Sequence, residues 1–359
     1  MIERLFADLF IQSHQGKRPP RQIVLDVDAT DDPIHGDHLG RFFHGYYGNF
    51  CYLPLYIFCG EHLLCAKLRP SNIDASLGSV TALASIVEQI RAAWPKVRII
   101  IRVDSGFCLG NMMSWCESHQ VDFILGLAKT RRLVAAIGWE LEQANRQHQA
   151  SGHAARLFKD FQYQTRKSWS RRRCVIGKAE HLSKGANPRF VVSSLPADEV
   201  DAKTLYEDHY CTRGDIENRI KEQQLCLFAD RISAATMRAN QLRLWLSSVA
   251  YCLMVVLRQR GLRGTRMAKA QCTTISVAAV QDRCPHPCDG AQGMGRVQPQ
   301  LPLPAPVRPD MEQSDQSRSC ATLINPSQPR TRTIQHHRTP LRDPFVRGIT
   351  SITIRPNSR

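Results

Sequence analysis

Between residues 277 and 359 the sequence has no lysine, no tryptophan and no tyrosine. The same stretch holds 12 of the chain's 20 prolines and 11 arginines, and no helical or two-residue period persists beyond a few positions. Such a string cannot bury enough apolar surface to offset chain entropy, which excludes a packed core and predicts disorder over 276–359. A native basic tail and an out-of-frame translation would both have this composition; the abrupt break in lysine use favours the second. Other shortages exclude other classes. No uninterrupted apolar run of about 18 residues occurs, so neither a transmembrane helix nor a membrane partner is expected. Met1-Ile2-Glu3-Arg4-Leu5-Phe6 lacks the layout of a secretion signal. The cysteines number 13 but sit mostly singly in apolar stretches, as at Cys51, Cys59, Cys65, Cys226 and Cys252. They read as small buried hydrophobes in a reducing cytoplasm, not as a disulfide framework. The one cluster, Cys284-Pro285-His286-Pro287-Cys288, is a zinc half-site with no second pair nearby and carries little weight.

Acidic residues are outnumbered: 48 Lys and Arg against 32 Asp and Glu give a net charge of +16, which favours a polyanionic partner. The apolar fraction of 43% is enough for a sizeable core. Apolar runs predict strands at 23–28, 51–58, 63–68, 98–103 and 121–127. Helices are predicted over 80–93, from the spacing of Leu83, Ile86, Val87 and Ile90, and over 109–118. Three closely spaced strands followed by helix–strand–helix–strand is the order of a ribonuclease-H-like α/β core, an antiparallel start joined to parallel strands. Residues 1–20 precede that core, and 21–150 form its first part. Residues 151–198 are a β-rich insertion, 199–275 return to helix, and 276–359 are the tail.

Three acids on three elements stand out. Asp28 ends the strand Val24-Leu25-Asp26-Val27-Asp28, and Asp104 ends Ile100-Ile101-Arg102-Val103-Asp104 ahead of Ser105-Gly106. Glu217 lies on a helix. Carboxylates at neighbouring strand ends, joined by one from a helix, are a donor set for two Mg²⁺ ions about 4 Å apart, for which Mn²⁺ can stand in; such a pair activates and stabilises both oxygens of a phosphodiester displacement. Asp26 shares a face with Asp28 and is the candidate for a supporting role. Each acid has an ordinary reading beside the catalytic one: a turn acid before Pro33 for Asp28, a helix cap for Asp104, an exposed ion pair for Glu217. On a regular helix Tyr210, Arg213, Glu217 and Lys221 form one polar stripe beside Ile216, Ile220 and Leu227, and a tyrosine and a guanidinium next to a carboxylate suit a DNA phosphate. Arg171, Arg172 and Arg173 lie close to Trp169, a pattern that fits either a DNA backbone with an unstacked base or a tryptophan covering the core. Lys129 and Arg131, past the fifth strand, are further phosphate candidates, or a solvated helix start.

These residues carry a resemblance. Leu25-Asp26-Val27-Asp28-Ala29-Thr30-Asp31-Asp32-Pro33, Phe43-His44-Gly45-Tyr46-Tyr47, Leu68-Arg69-Pro70, Asp104-Ser105-Gly106-Phe107, Gly126-Leu127-Ala128-Lys129 and the Tyr210 helix through Arg231 resemble the DDE transposases of bacterial insertion sequences. The likeness covers about 20–275 and is to the Tyr-Arg-Glu-Lys branch, within it the insertion-sequence family numbered thirteen-eighty. It implies that Asp28, Asp104 and Glu217 are the metal triad and that Tyr210 and Arg213 grip the phosphate near the cleaved end. It also implies that Trp169 stacks on a flipped base. The branch has a lysine seven residues after the glutamate, where this chain has Gln224; Lys221 is the candidate substitute. Also implied are transposon-end and target DNA as partners, Mg²⁺-dependent nicking and strand transfer, and a homodimer in the synaptic complex. Only 27 residues precede Asp28, so a copy lacking end recognition is expected, with a DNA-binding remnant or a standalone nuclease as the rival readings.

Overall fold

The computed structural model describes residues 2–36, 38 and 41–281. An amphipathic helix, α1 (Ile2–Ser13), buries Phe6 and Phe10 and precedes β1 (Gln22–Ala29), which carries both early aspartates. Two short strands come next, β2 (Asp32–Pro33) and β3 (Phe42–His44), then β4 (Asn49–Tyr52), β5 (Leu55–Cys59) and β6 (His62–Lys67). The single strand expected over 51–58 is thus two. Pro54 has no N–H to give a ladder, and the chain changes sheets there: β4 belongs to a small β2-β4-β3 sheet and β5 to the main one.

After β6 come α2 (Ser79–Ala93), β7 (Arg98–Val103), α3 (Gly110–Ser118) and β8 (Asp122–Leu127), close to their expected bounds. Helices α4 (Arg131–Ala136) and α5 (Gly138–Ser151) are elements that the apolar periodicity does not predict. The β-rich stretch supplies β9 (Ala155–Tyr163), β10 (Arg173–Leu182), β11 (Gly185–Ala186) and β12 (Arg189–Ser193). These continue the central sheet, because β12 pairs antiparallel with β8. The chain then forms α6 (Ala202–Thr204), a π-turn at Leu205–Tyr210, a 3₁₀ turn at Cys211–Arg213, α7 (Gly214–Leu227), α8 (Met237–Val256) and α9 (Cys272–Gln281). Helix α9 runs past the boundary at 275 that composition suggested, and buries Cys272 and Ile275. The Cys284–Cys288 cluster and the rest of the tail lie outside the described residues.

The result is a mixed α/β fold around one large sheet of order β11-β10-β12-β8-β7-β1-β5-β6, with β9 against β10. β1 runs antiparallel to β5 and parallel to β7, and β7 runs parallel to β8. Alternate residues of each strand serve opposite faces. Leu25, Val27, Ile99, Ile101 and Val103 pack with Leu83 and Ile90 of α2 and Met113 of α3. On the other face Tyr56 and Phe58 meet Ile216 and Ile220 of α7 and Leu244 and Tyr251 of α8, and Ile100 and Ile124 meet Leu205 and Tyr206. By length and composition Met237–Gly261 could cross a membrane. One side of it, however, is buried in the fold at Leu244, Tyr251 and Val255.

Candidate active site

Because Leu25 and Val27 point into one core, Asp26 and Asp28 share the opposite face of β1, the face covered by α7. The three acids meet there around one side chain, Arg213. Its Nη2 lies 3.1 Å from Asp28 Oδ2 and 3.9 Å from Asp104 Oδ2, and its Nη1 lies 3.8 Å from Glu217 Oε1. Both aspartates are bound the same way. Asp28 Oδ1 accepts from the Ala29 amide at 2.9 Å, and Asp104 Oδ1 accepts from the Gly106 amide at 2.9 Å. Asp104 therefore caps the turn with one oxygen and faces Arg213 with the other, so the two roles that compete for it in sequence are divided between its atoms. Burial pushes the Asp28 carboxyl up to about 7, against the pull of Arg213 and with Asp104's charge adding to the rise. Burial works against the charge on Arg213, but Asp28 and Asp104 more than restore it and hold its pKa above the usual value.

The residues before α7 are not the regular helix that the polar stripe assumed. Tyr210 ends the π-turn and the 3₁₀ turn at Cys211–Arg213 separates it from Glu217, so their offset is not set at 100° per residue. Tyr210 instead reaches over β8. A Cβ built on Gly126 would stand 2.3 Å from the Tyr210 hydroxyl and 2.9 Å from the Ser105 amide. Only glycine at 126 lets this hydroxyl and the Asp104–Ser105 backbone close together. Lys221 is exposed, one turn beyond Glu217. Gln224 donates to Asp32 Oδ1 at 3.0 Å and to the Asp31 carbonyl at 3.2 Å, tying α7 to the segment just after Asp28.

A residue that sequence reasoning missed holds this arrangement. Arg102 pairs in register with Asp26, and its Nε and Nη2 donate to the two Asp26 oxygens at 2.5 and 2.8 Å. Its Nη1 donates to the His209 carbonyl and to Thr212 Oγ1. Asp26 thus acts through Arg102 on the turn that presents Arg213. The available signal was a lone charge within the apolar run Ile99–Val103.

In the basic segment two of the candidate DNA contacts are engaged within the fold. Trp169 is 6% exposed, sits edge-on to Tyr163 at 5.7 Å and lies under the Arg173 guanidinium at 5.6 Å. It covers the core, and no face of it is open to a base. Arg173 is buried too and donates to both Glu117 oxygens at 2.6 and 2.9 Å; Arg171, though exposed, stands 3.0 Å from the same carboxylate. Burial raises the Glu117 carboxyl, yet the two arginines hold it below its usual range. Arg173 and Trp169 are therefore structural here. Arg172 lines an open pocket with Arg132, Arg166 and Tyr163. Lys129 and Arg131 are exposed at the start of α4, which Thr130 caps.

The acids supply hard oxygen donors of the kind Mg²⁺ takes, and a cationic group already stands between them, so the donor chemistry fits a divalent ion. Their spacing is that of carboxylates around a guanidinium; among the described residues no three His, Cys, Asp or Glu side chains are close enough to hold one metal ion.

An α/β domain whose acids arrive from two strand ends and a later helix is the arrangement expected of DDE enzymes. Residues 1–279 match the family model described as "Transposase DDE domain group 1", and the chain belongs to that family. No curated protein matches it. Among solved structures it is similar to a cryo-EM structure of the piggyBac transposase synaptic complex with hairpin DNA. The identity is 11% and the TM-score 0.42, over 78% of this chain and 57% of that one. The chain thus spans little more than half the length of that relative.

Proposed function

We propose that this chain is the catalytic core of an insertion-sequence transposase on a ribonuclease-H-like fold, nicking DNA at the element's ends and joining the freed 3′ end to target DNA. The observation that carries the reading is the convergence of Asp28, Asp104 and Glu217, from three separate elements, on the single guanidinium of Arg213. The main sheet agrees: β6-β5-β1 antiparallel, then β7 and β8 parallel to β1, is the ribonuclease-H-like strand order.

In this reading Asp28, Asp104 and Glu217 would hold two Mg²⁺ ions. The ions would activate the attacking water or 3′-OH and stabilise both reacting oxygens. The backbone amides of Ala29 and Gly106 fix one oxygen of each aspartate, leaving the other aimed at the shared centre. Arg213, which neutralises these acids, is also the nearest fork of donors for a phosphate oxygen. Tyr210, held against Gly126 and Ser105, borders the same centre. Arg132, Arg166 and Arg172 offer a second basic site for the DNA backbone. The Tyr210–Arg213–Glu217 spacing supports the Tyr-Arg-Glu-Lys branch, and the family numbered thirteen-eighty within it.

Nicking of supercoiled DNA in Mg²⁺ or Mn²⁺ tests the reading. Asp104→Ala and Glu217→Ala should abolish it while leaving DNA retention in gels largely intact, and wild-type cleavage by either variant removes the site assignment. A second reading, a core that binds DNA without cutting it, is favoured by one observation: Gln224 stands where the branch has lysine, and it is engaged with Asp32. Metal-dependent nicking by the wild-type chain eliminates that reading.

A further inference from the structure

The segment Phe42–Phe50 leaves four of its five Phe and Tyr rings exposed. Six Phe, Tyr or Trp side chains are exposed among the described residues, and Phe42, Phe43, Tyr46 and Phe50 are four of them. Phe43 and Phe50 are directly opposed across the β3–β4 ladder, with rings 5.5 Å apart and edge to face; they are 58% and 44% exposed. Tyr46, at the tip, is 60% exposed and stands edge-on to Tyr47. The Arg41 guanidinium lies 5.0 Å from the Phe50 ring centroid. A concentration of this kind on a short hairpin marks a contact surface, since scattered exposed rings need no partner but a contiguous group does.

The hairpin is fastened to the acid-bearing segment. β4 pairs with β2, the Ile34 amide donates to the Phe50 carbonyl at 2.8 Å, and Asn49 Nδ2 donates to Asp31 Oδ2 at 3.1 Å. Tyr47 has its pKa raised first by burial and then by the charges of Asp31 and Asp28, so it lies within electrostatic reach of the candidate catalytic aspartate. The platform is therefore anchored to the segment that directly follows Asp28. Two occupants compete. A net charge of +16 favours a polyanion over a second copy of like sign. Rings next to a guanidinium also match the two parts of a nucleotide, a base to stack on and a phosphate to neutralise.

We propose that the β3–β4 hairpin is a stacking platform for unpaired nucleotides next to the phosphodiester held at Asp28, Asp104 and Glu217. The inference rests on the transposase reading and adds the class of ligand, single-stranded DNA, and the side chains that take it.

The test uses the full chain in EDTA with a single-stranded oligonucleotide carrying 2-aminopurine, reading both fluorescence quenching and Kd. Phe43→Leu and Tyr46→Leu keep apolar bulk and remove the stacking face. Each should weaken binding by about fivefold or more and relieve quenching. Unchanged quenching and Kd in both leucine variants overturn the inference. So does a shift from dimer to monomer in sedimentation with DNA affinity unaltered, which would assign the patch to a second copy. A wild-type chain that nicks supercoiled DNA in Mg²⁺ but binds no single-stranded oligonucleotide overturns this inference alone, whereas one that does neither overturns the transposase reading as well.

Discussion

Arg213 Nη2 lies 3.1 Å from Asp28 Oδ2, and both side chains are nearly buried, at 12% and 13% exposure. A pair this enclosed is sensitive to the loss of either partner, because the remaining charge has no water to turn to. Arg213→Gln should therefore lower stability in EDTA by about 3 kcal/mol. Mg²⁺ should recover much of that loss, since a divalent ion can neutralise the same three acids. Thermal melts with and without Mg²⁺ check this, and equal losses in both would mean the acids do not share a cation.

Asp26 and Arg102 should behave as one unit. Asp26→Asn leaves a buried guanidinium half-partnered and loosens the turn at His209–Thr212, with an expected loss of about 3 kcal/mol. Arg102→Met alone should cost about as much, and the double variant less than the sum of the two. A double-mutant cycle by urea unfolding measures the coupling; strict additivity would contradict the pairing.

Asp32 makes stability depend on pH in an unusual direction. It is fully buried, and burial pushes its carboxyl from 3.8 up to about 8, against the hydrogen bond from Gln224. Between those values the folded chain keeps a proton that the unfolded chain has released. Its contribution to stability therefore falls as pH rises, by up to about 1.4 kcal/mol per unit, and levels off above about pH 8. Asp32→Asn should flatten this slope, so that unfolding midpoints at about pH 5 and about pH 8 draw together. A slope as steep as the wild type's in that variant would place its origin elsewhere.

Trp169→Ala should destabilise the fold by about 3 to 5 kcal/mol, as truncation of a large buried aromatic does. Its DNA affinity, measured well below the melting temperature, should match the wild type. A large loss of affinity with stability intact would reinstate Trp169 as a DNA contact.

The strands were legible wherever apolar runs were uniform. Ile99–Val103 and Phe123–Leu125 fall close to their expected places, and Asp104 follows the first of them directly. Helix α5 was not legible, because its buried residues are only Glu140 and Ala144 and leave no apolar period to detect. Trp169 misled for a different reason. Arginines around a tryptophan look like a DNA contact until Glu117, far off in sequence, is seen to claim Arg173. The convergence on Arg213 was half visible: strand ends and residue types marked the acids, but the fold alone set the π-turn that aims the guanidinium.

That turn at Leu205–Tyr210 winds one residue more than an α-helical turn would. Every later position on the helix, Glu217 included, inherits a rotational phase fixed by that single surplus residue. Deleting one residue there would rotate α7 about its axis by about 100°, turning Ile216 and Ile220 out of the core together with Glu217. The carboxylate would then swing away from its two partners as the helix lost its packing, so the phase of this one turn ties the site to the core.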